Sequence, residues 1–113
     1  MDKTITYRTL ITRLLTQYLE VLNTQPIEGL DTELILDETR DHYMIFNIGW
    51  SPEGRVKGNT LYIRLRNNKF WIEEDWTEEG IASQLLEAGV PKEDIVLAFH
   101  HPSIRPHTEF AVA

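Results

Sequence analysis

Three groups of side chains in this sequence have types and spacing that invite chemistry. The first is the carboxylate run Glu73-Glu74-Asp75, the kind of cluster with which a magnesium-dependent nuclease holds its metal. Such a site also wants a positioned lysine and a second acid on a neighbouring strand, and Lys69 stands several residues away. On an extended strand Glu73 and Glu74 point to opposite sides, and an aspartate ahead of a helix is a natural cap. A solvated face plus a cap is therefore the better reading. The second group is His100, His101 and His107. Adjacent histidines on an extended segment also diverge, which makes them a poor ligand pair. The third is a basic stretch with interleaved rings. Arg55, Lys57, Arg64, Arg66 and Lys69 fall between Arg55 and Ile72 without an intervening acid, and Tyr62 and Trp71 lie among them. Cations and aromatic faces in that order suit contact with a protein or stacking on unpaired bases. Asp41 and His42 sit in a turn, which accounts for them.

Other catalytic constellations are missing. There is no G-x-S-x-G, no G-x-x-x-x-G-K-[ST] and no G-x-G-x-x-G, and Ser51, Ser83 and Ser103 have no activating context. The absence of cysteine excludes a thiol nucleophile, a cysteine-based zinc site and an iron–sulfur cluster. No cofactor or metal is implied. The 113 residues, 42% of them hydrophobic, fit one domain with a core of its own. A net charge of -7 disfavours nonspecific binding to a DNA duplex. That average conceals a basic segment set between two acidic ones, a two-signed surface suited to a protein partner. Met1-Asp2-Lys3-Thr4 does not open a signal peptide, and Arg8 and Arg13 interrupt the richest apolar stretch, so a cytoplasmic protein with no membrane partner is expected.

The positioning elements follow from periodicity. Tyr7, Ile11, Leu14, Tyr18 and Leu22, widened by Leu15 and Leu19, form a helical stripe between about Lys3 and Asn23, with Arg8, Thr12, Arg13 and Glu20 on the wetter side. Pro26 ends the pattern. From Thr32 the period is two. Strands are expected at Thr32–Asp37, Tyr43–Trp50, Gly58–Arg66 and Phe70–Glu74, closing a four-stranded antiparallel meander. Asn67-Asn68 suits a two-residue hairpin loop because asparagine tolerates positive φ. A second helix should open at Asp75-Trp76-Thr77-Glu78, capped by Asp75 or Thr77, and bury Ile81, Leu85 and either Leu86 or Ala88 before Gly89 and Pro91. Pro91 to Asp94 reads as one helical turn, Ile95–Phe99 as a final short strand, and His100 to Ala113 as an irregular tail. The fold class is α+β in a single domain, residues 1–113.

The Asn67-Asn68 turn also fixes a register. Leu65 should face Phe70 and Ile63 should face Ile72 on a core side, while Arg64 faces Trp71 and Tyr62 faces Glu73 on the opposite side. That side carries Tyr62, Arg64, Arg66 and Trp71, and a guanidinium is expected over the Trp71 indole. Met44, Phe46, Ile48 and Trp50 share one side of the second strand; the other holds Tyr43, Ile45 and Asn47. Neither side is cleanly polar, so the first helix, the tail or another chain must cover part of the second face. Cover from within the chain is the expectation, and self-association into a homo-oligomer is the alternative.

Longer strings carry a resemblance. Glu38-Thr39-Arg40-Asp41-His42-Tyr43, Gly49-Trp50, Arg55-Val56-Lys57-Gly58 and Trp71-Ile72-Glu73-Glu74-Asp75-Trp76-Thr77-Glu78 come in order. Gly89-Val90-Pro91-Lys92-Glu93-Asp94-Ile95-Val96-Leu97-Ala98-Phe99-His100 and the closing Thr108-Glu109-Phe110-Ala111-Val112-Ala113 follow. Over essentially its whole length the chain resembles the XisI family, the fdxN-element excision controlling factors of cyanobacteria. Asn67-Asn68 departs from the Asp-Gly expected at the family's turn. The resemblance implies a small cytoplasmic accessory protein that acts with a XisH-like partner. The process it implies is developmentally programmed excision, in heterocyst differentiation, of a DNA element by a separate recombinase. It brings no catalytic residues to this chain.

Two classes of function remain. In the first the chain is a non-enzymatic interaction module that binds and controls a XisH-like protein, either in excision or as an antitoxin restraining a nuclease-like partner. Its contact residues are expected at Tyr62, Arg64, Arg66 and Trp71 on the strand pair and at Arg105 and Phe110 in the tail. In the second the same basic, aromatic hairpin binds single-stranded nucleic acid. An enzyme built on the Glu73-Glu74-Asp75 carboxylates is the least supported reading.

Overall fold

The computed structural model describes residues 3–113; the N-terminal reading rests partly on Met1 and Asp2, which lie outside them. The chain forms a helix α1 (Thr4–Leu22), a meander β1 (Leu30–Asp37), β2 (His42–Ser51), β3 (Gly54–Arg66) and β4 (Lys69–Asp75), a helix α2 (Ile81–Glu87), and a strand β5 (Ile95–Leu97). The five strands lie in the order β1-β2-β3-β4-β5. The first four pair antiparallel, and β5 returns through α2 to lie parallel to β4. The α+β reading holds, as a two-helix domain on a mixed sheet.

One face of the sheet is the core. Tyr7, Ile11, Leu14 and Leu15 of α1 pack on Tyr43, Ile45, Leu61, Ile63, Leu65, Phe70 and Ile72, and Ile81 and Leu85 of α2 enter the same cluster. The Tyr7 and Phe70 rings meet at 4.6 Å between centroids. The apolar stripe at helical spacing put these residues on one side of α1, and alternation did the same on each strand.

Two polar clamps hold α1 at this angle. Arg8 grips Asp41 with two bonds, Nε to Oδ1 at 2.7 Å and a terminal nitrogen to Oδ2 at 3.0 Å, and the Tyr43 hydroxyl donates to the same carboxylate at 2.8 Å. The bond from Arg8 outweighs burial and keeps the Asp41 carboxyl below its usual range. Burial, and next the bond to Asp41, push the Tyr43 phenol up. At the other clamp, Asp94 accepts from Lys3 Nζ at 2.7 Å and from the Tyr7 hydroxyl. Burial alone would raise the Asp94 carboxyl, but the bonds from Lys3 and Tyr7 more than offset it and leave it depressed. Asp94 is the buried charged residue of the described core.

Several local expectations need correction. The second helix starts at Ile81, not within Asp75-Trp76-Thr77-Glu78. Gly80 at φ +83 precedes it, and Asp75 reaches across the loop, accepting from Thr77 N at 2.9 Å, Thr77 Oγ1 at 2.6 Å and Ile81 N at 2.7 Å. The expected cap residue therefore caps from a distance. β3 begins four residues earlier than alternation indicated, because Arg55, Val56 and Lys57 pair with Trp50, Gly49 and Ile48. The Tyr62–Glu73 pairing is replaced by Tyr62–Glu74, since a bulge intervenes between Tyr62 and Ile63. Beside the turn the register is as expected: Leu65 faces Phe70, Ile63 faces Ile72 and Arg64 faces Trp71, with Asn67 and Asn68 at φ +55 and +59.

Gly49-Trp50 has a backbone explanation. Trp50 N donates to Gly29 O at 3.0 Å, and a Cβ on Gly49 would lie 2.0 Å from that same oxygen. No side chain fits there.

Candidate functional site

Both helices lie on the core side, so the opposite face of the sheet is open over most of its width. Its rows run across β1, β2 and β3: Asp31, Ile48 and Lys57; Glu33, Phe46 and Asn59; Ile35, Met44 and Tyr62; Asp37, His42 and Arg64. The Met44, Phe46, Ile48 and Trp50 side of β2 thus forms an apolar stripe, with acids on β1 and bases on β3. Trp50 is 64% exposed and Ile35 39%. A one-residue shift after Ile45 keeps the stripe aligned, because the bulge turns Thr60 to the core side, where Asn47 Nδ2 donates to its Oγ1 at 2.7 Å.

The tail covers the β4–β5 end of this face. Ala111 N donates to Ile95 O at 2.9 Å and Ala111 bridges Val96, which is fully buried. Arg105 is stitched into the turn by bonds to the carbonyls of His100 at 3.1 Å and Ala98 at 3.2 Å. Of the three candidate covers, the tail takes this part, and neither helix does.

Trp71 is the centre of the arrangement. The Arg66 guanidinium lies 5.4 Å from its ring centroid and that of Arg105 5.8 Å, and its indole Nε1 donates to Arg66 O at 3.0 Å. The expected guanidinium over the indole is thus that of Arg66, joined by Arg105. Arg64 turns instead to Glu73, Nε to Oε2 at 3.1 Å, because the bulge leaves Glu73 beside it. Tyr62 pairs with His42, hydroxyl to Nδ1 at 2.7 Å. The structure thus unites Arg66, Trp71 and Arg105, sets Tyr62 and Arg64 in adjoining rows, and places Phe110 apart, half-buried against the core cluster. Sequence reasoning put Glu73 on this face but not with Arg64, and it put His42 in a turn, whereas His42 opens β2 and bonds Tyr62. Counting outward from each hairpin turn would have found these pairings had the two bulges been legible.

The chemistry of the other candidates is spent on structure. Glu73 is held by Arg64, Glu74 accepts from Trp76 Nε1 at 2.8 Å, and Asp75 is the remote cap. His101 Nδ1 contacts Ser103 Oγ at 2.9 Å, while the His100 ring lies against Phe99. Among the described residues no three His, Asp or Glu side chains converge as a metal site would require. A depression of about 330 Å³ between the end of α1 and the sheet includes Thr32, Asn47 and Thr60, already bonded to one another, and no titratable group. No helix is long and apolar enough to cross a membrane among the described residues.

Comparison with known proteins gives a consistent result. The family described as XisI protein matches residues 1–112. The crystal structure of a XisI-like protein from Anabaena variabilis ATCC 29413 is 32% identical, covering 98% of this chain and 100% of that one, with a TM-score of 0.88. The crystal structure of fdxN element excision controlling factor XisI from the same organism is 43% identical, covering 99% of this chain and 100% of that one, also with a TM-score of 0.88. No curated protein matches.

Proposed function

The chain belongs to the XisI family, and from that premise we propose that it is a non-catalytic regulatory protein in the control of DNA-element excision. It acts by docking the Trp71 end of its open sheet face onto a XisH-like protein, upstream of a separate recombinase that touches the DNA. The family match and the excision controlling factor of Anabaena variabilis at 43% identity support the regulatory role. The observation that carries the docking is Trp71, half-buried beside the tail, with the guanidiniums of Arg66 and Arg105 at 5.4 and 5.8 Å from its ring centroid. Tryptophan and arginine on a pre-ordered surface are the residues on which protein interfaces concentrate their energy.

Calorimetry or co-purification with the XisH-like protein tests this reading, and no binding by either method would sink it. Co-expression then separates two modes. Rescue of growth from a toxic partner would indicate an antitoxin-like inhibitor, whereas increased excision would indicate an activator.

Single-stranded nucleic acid is the weaker reading. Two guanidinium groups already lie within 6 Å of the Trp71 centroid and compete with a base for the ring. Trp50 with Arg55 at 5.5 Å is the remaining platform. Binding whose affinity fell steeply with added salt would revive it.

A further inference from the structure

We propose that the β1–β3 part of the open face is self-complementary and binds a second copy of this chain about a two-fold axis running along β2. This surface is distinct from the Trp71 end and goes beyond the partner reading. Sheets that pack face to face lie about 10 Å apart with strands within about 30° of alignment. A rotation of 180° about an axis between the sheets and parallel to β2 keeps each residue at its level along the strand. It places β1 of one copy over β3 of the other.

The four rows then meet in pairs. Asp31 meets Lys57 of the second copy, Glu33 meets the Asn59 amide, Ile35 meets Tyr62, and Asp37, which already holds Arg40, lies over Arg64, which already holds Glu73. On the axis Ile48, Phe46 and Met44 each meet their own counterpart, making a dry centre between charged flanks. All of the off-axis pairs are of matching chemistry, and reversing the strand order would oppose acid to acid. One observation points the same way. Asp31, Glu33 and Lys57 are exposed and, among the described residues, make no hydrogen bond or ion pair within the chain.

The footprint is modest. Three strands about 4.8 Å apart and ten residues of about 3.3 Å give roughly 480 Å² of sheet per copy, below the range of a stable interface and suited to a weak, reversible dimer. The axis leaves β4, Arg66, Trp71 and Arg105 outside the overlap, so a dimer would carry two free partner-docking ends.

Sedimentation velocity with a charge swap tests the proposal. The chain should be dimeric at about 100 µM and dissociate on dilution, as a small interface allows. Lys57→Glu opposes two acids, and the two-fold axis repeats the contact, so self-affinity should fall by about 10–100-fold. Asp31→Lys should do the same, and the double variant Asp31→Lys/Lys57→Glu should recover to within about threefold of the original. All these positions are exposed, and circular dichroism checks that the fold is retained. A monomer at that concentration overturns the proposal, as does a dimer indifferent to both single changes, which would mean pairing through the β1 edge. Losses that add in the double variant overturn it too. The Lys57→Glu monomer should still bind the XisH-like protein, so failure of self-association and failure of partner docking are told apart.

Discussion

Replacing Asp94 by alanine removes the anchor that joins the start of α1 to the turn before β5. Its carboxylate takes the hydroxyl of Tyr7, a side chain 7% exposed, and the ammonium of Lys3, whose side chain is 51% exposed. Stranding the buried phenol costs about 1–3 kcal/mol, while the half-exposed ion pair adds at most about 1 kcal/mol. Part of this is offset because the variant no longer buries a carboxylate. The net expected loss is about 2 kcal/mol, or about 8 °C in Tm for a domain of this size. Urea unfolding followed by far-UV circular dichroism measures it, together with Tyr7→Phe and the double variant. The two changes break one interaction, so the double variant should lose clearly less than the two single losses added together. Strict additivity, or a loss under about 0.5 kcal/mol, would refute the anchor. The pH dependence has a definite sign. A depressed carboxyl contributes stability fully present above its unfolded value, about 3.9, and lost as pH falls through the lower folded one. The gap between the original and Asp94→Ala should therefore close in acid.

Three further outcomes are expected. Gly49→Ala would drive a methyl into Gly29 O and should cost about 3 kcal/mol or more, whereas Gly58→Ala, with nothing within 4 Å of its Cβ, should change stability by less than about 1 kcal/mol; thermal melts decide. Arg8→Met leaves Asp41 and Tyr43 without their cation and should cost about 1–3 kcal/mol by urea unfolding. Because Arg8 is the main cause of the depressed Asp41 carboxyl, that loss should also shrink below about pH 4. Trp71→Ala should weaken binding to the XisH-like protein by about 10–100-fold in calorimetry while the far-UV spectrum is kept. Unchanged affinity would move the docking site elsewhere.

Much of the fold was legible because its signals are short-range. The spacing of Tyr7, Ile11 and Leu14 gave α1, and alternation gave the meander. Asparagines at positive φ gave the β3–β4 hairpin and the Arg64–Trp71 pairing. The candidate site was legible only in part. Tyr62, Arg64, Arg66 and Trp71 were placed on one face, but the partners within it were not, because one inserted residue in a strand shifts every pairing beyond it. Thr60 and Glu73 carry no local mark of that insertion. The late start of α2 escaped for a related reason, since Asp75 caps from six positions before Ile81, across the loop 76–80.

The amino-acid sequence by itself determined the elements, the register next to each tight turn, the family, and the basic segment between acidic ones. These depend on neighbours a few residues apart or on strings read directly. On β3 and β4 the sequence already named the Ile63 and Ile72 side as core, but both faces of β2 are apolar, so its pattern could not say what covers each. Only the tertiary structure decided that both helices lie on the core side and that the tail covers the β4–β5 end of the other. Those placements depend on contacts such as Arg8 to Asp41 and Tyr7 to Asp94, 33 and 87 residues apart in the chain, which no local pattern records. They leave the stripe of β2 half-buried on a face that no helix covers.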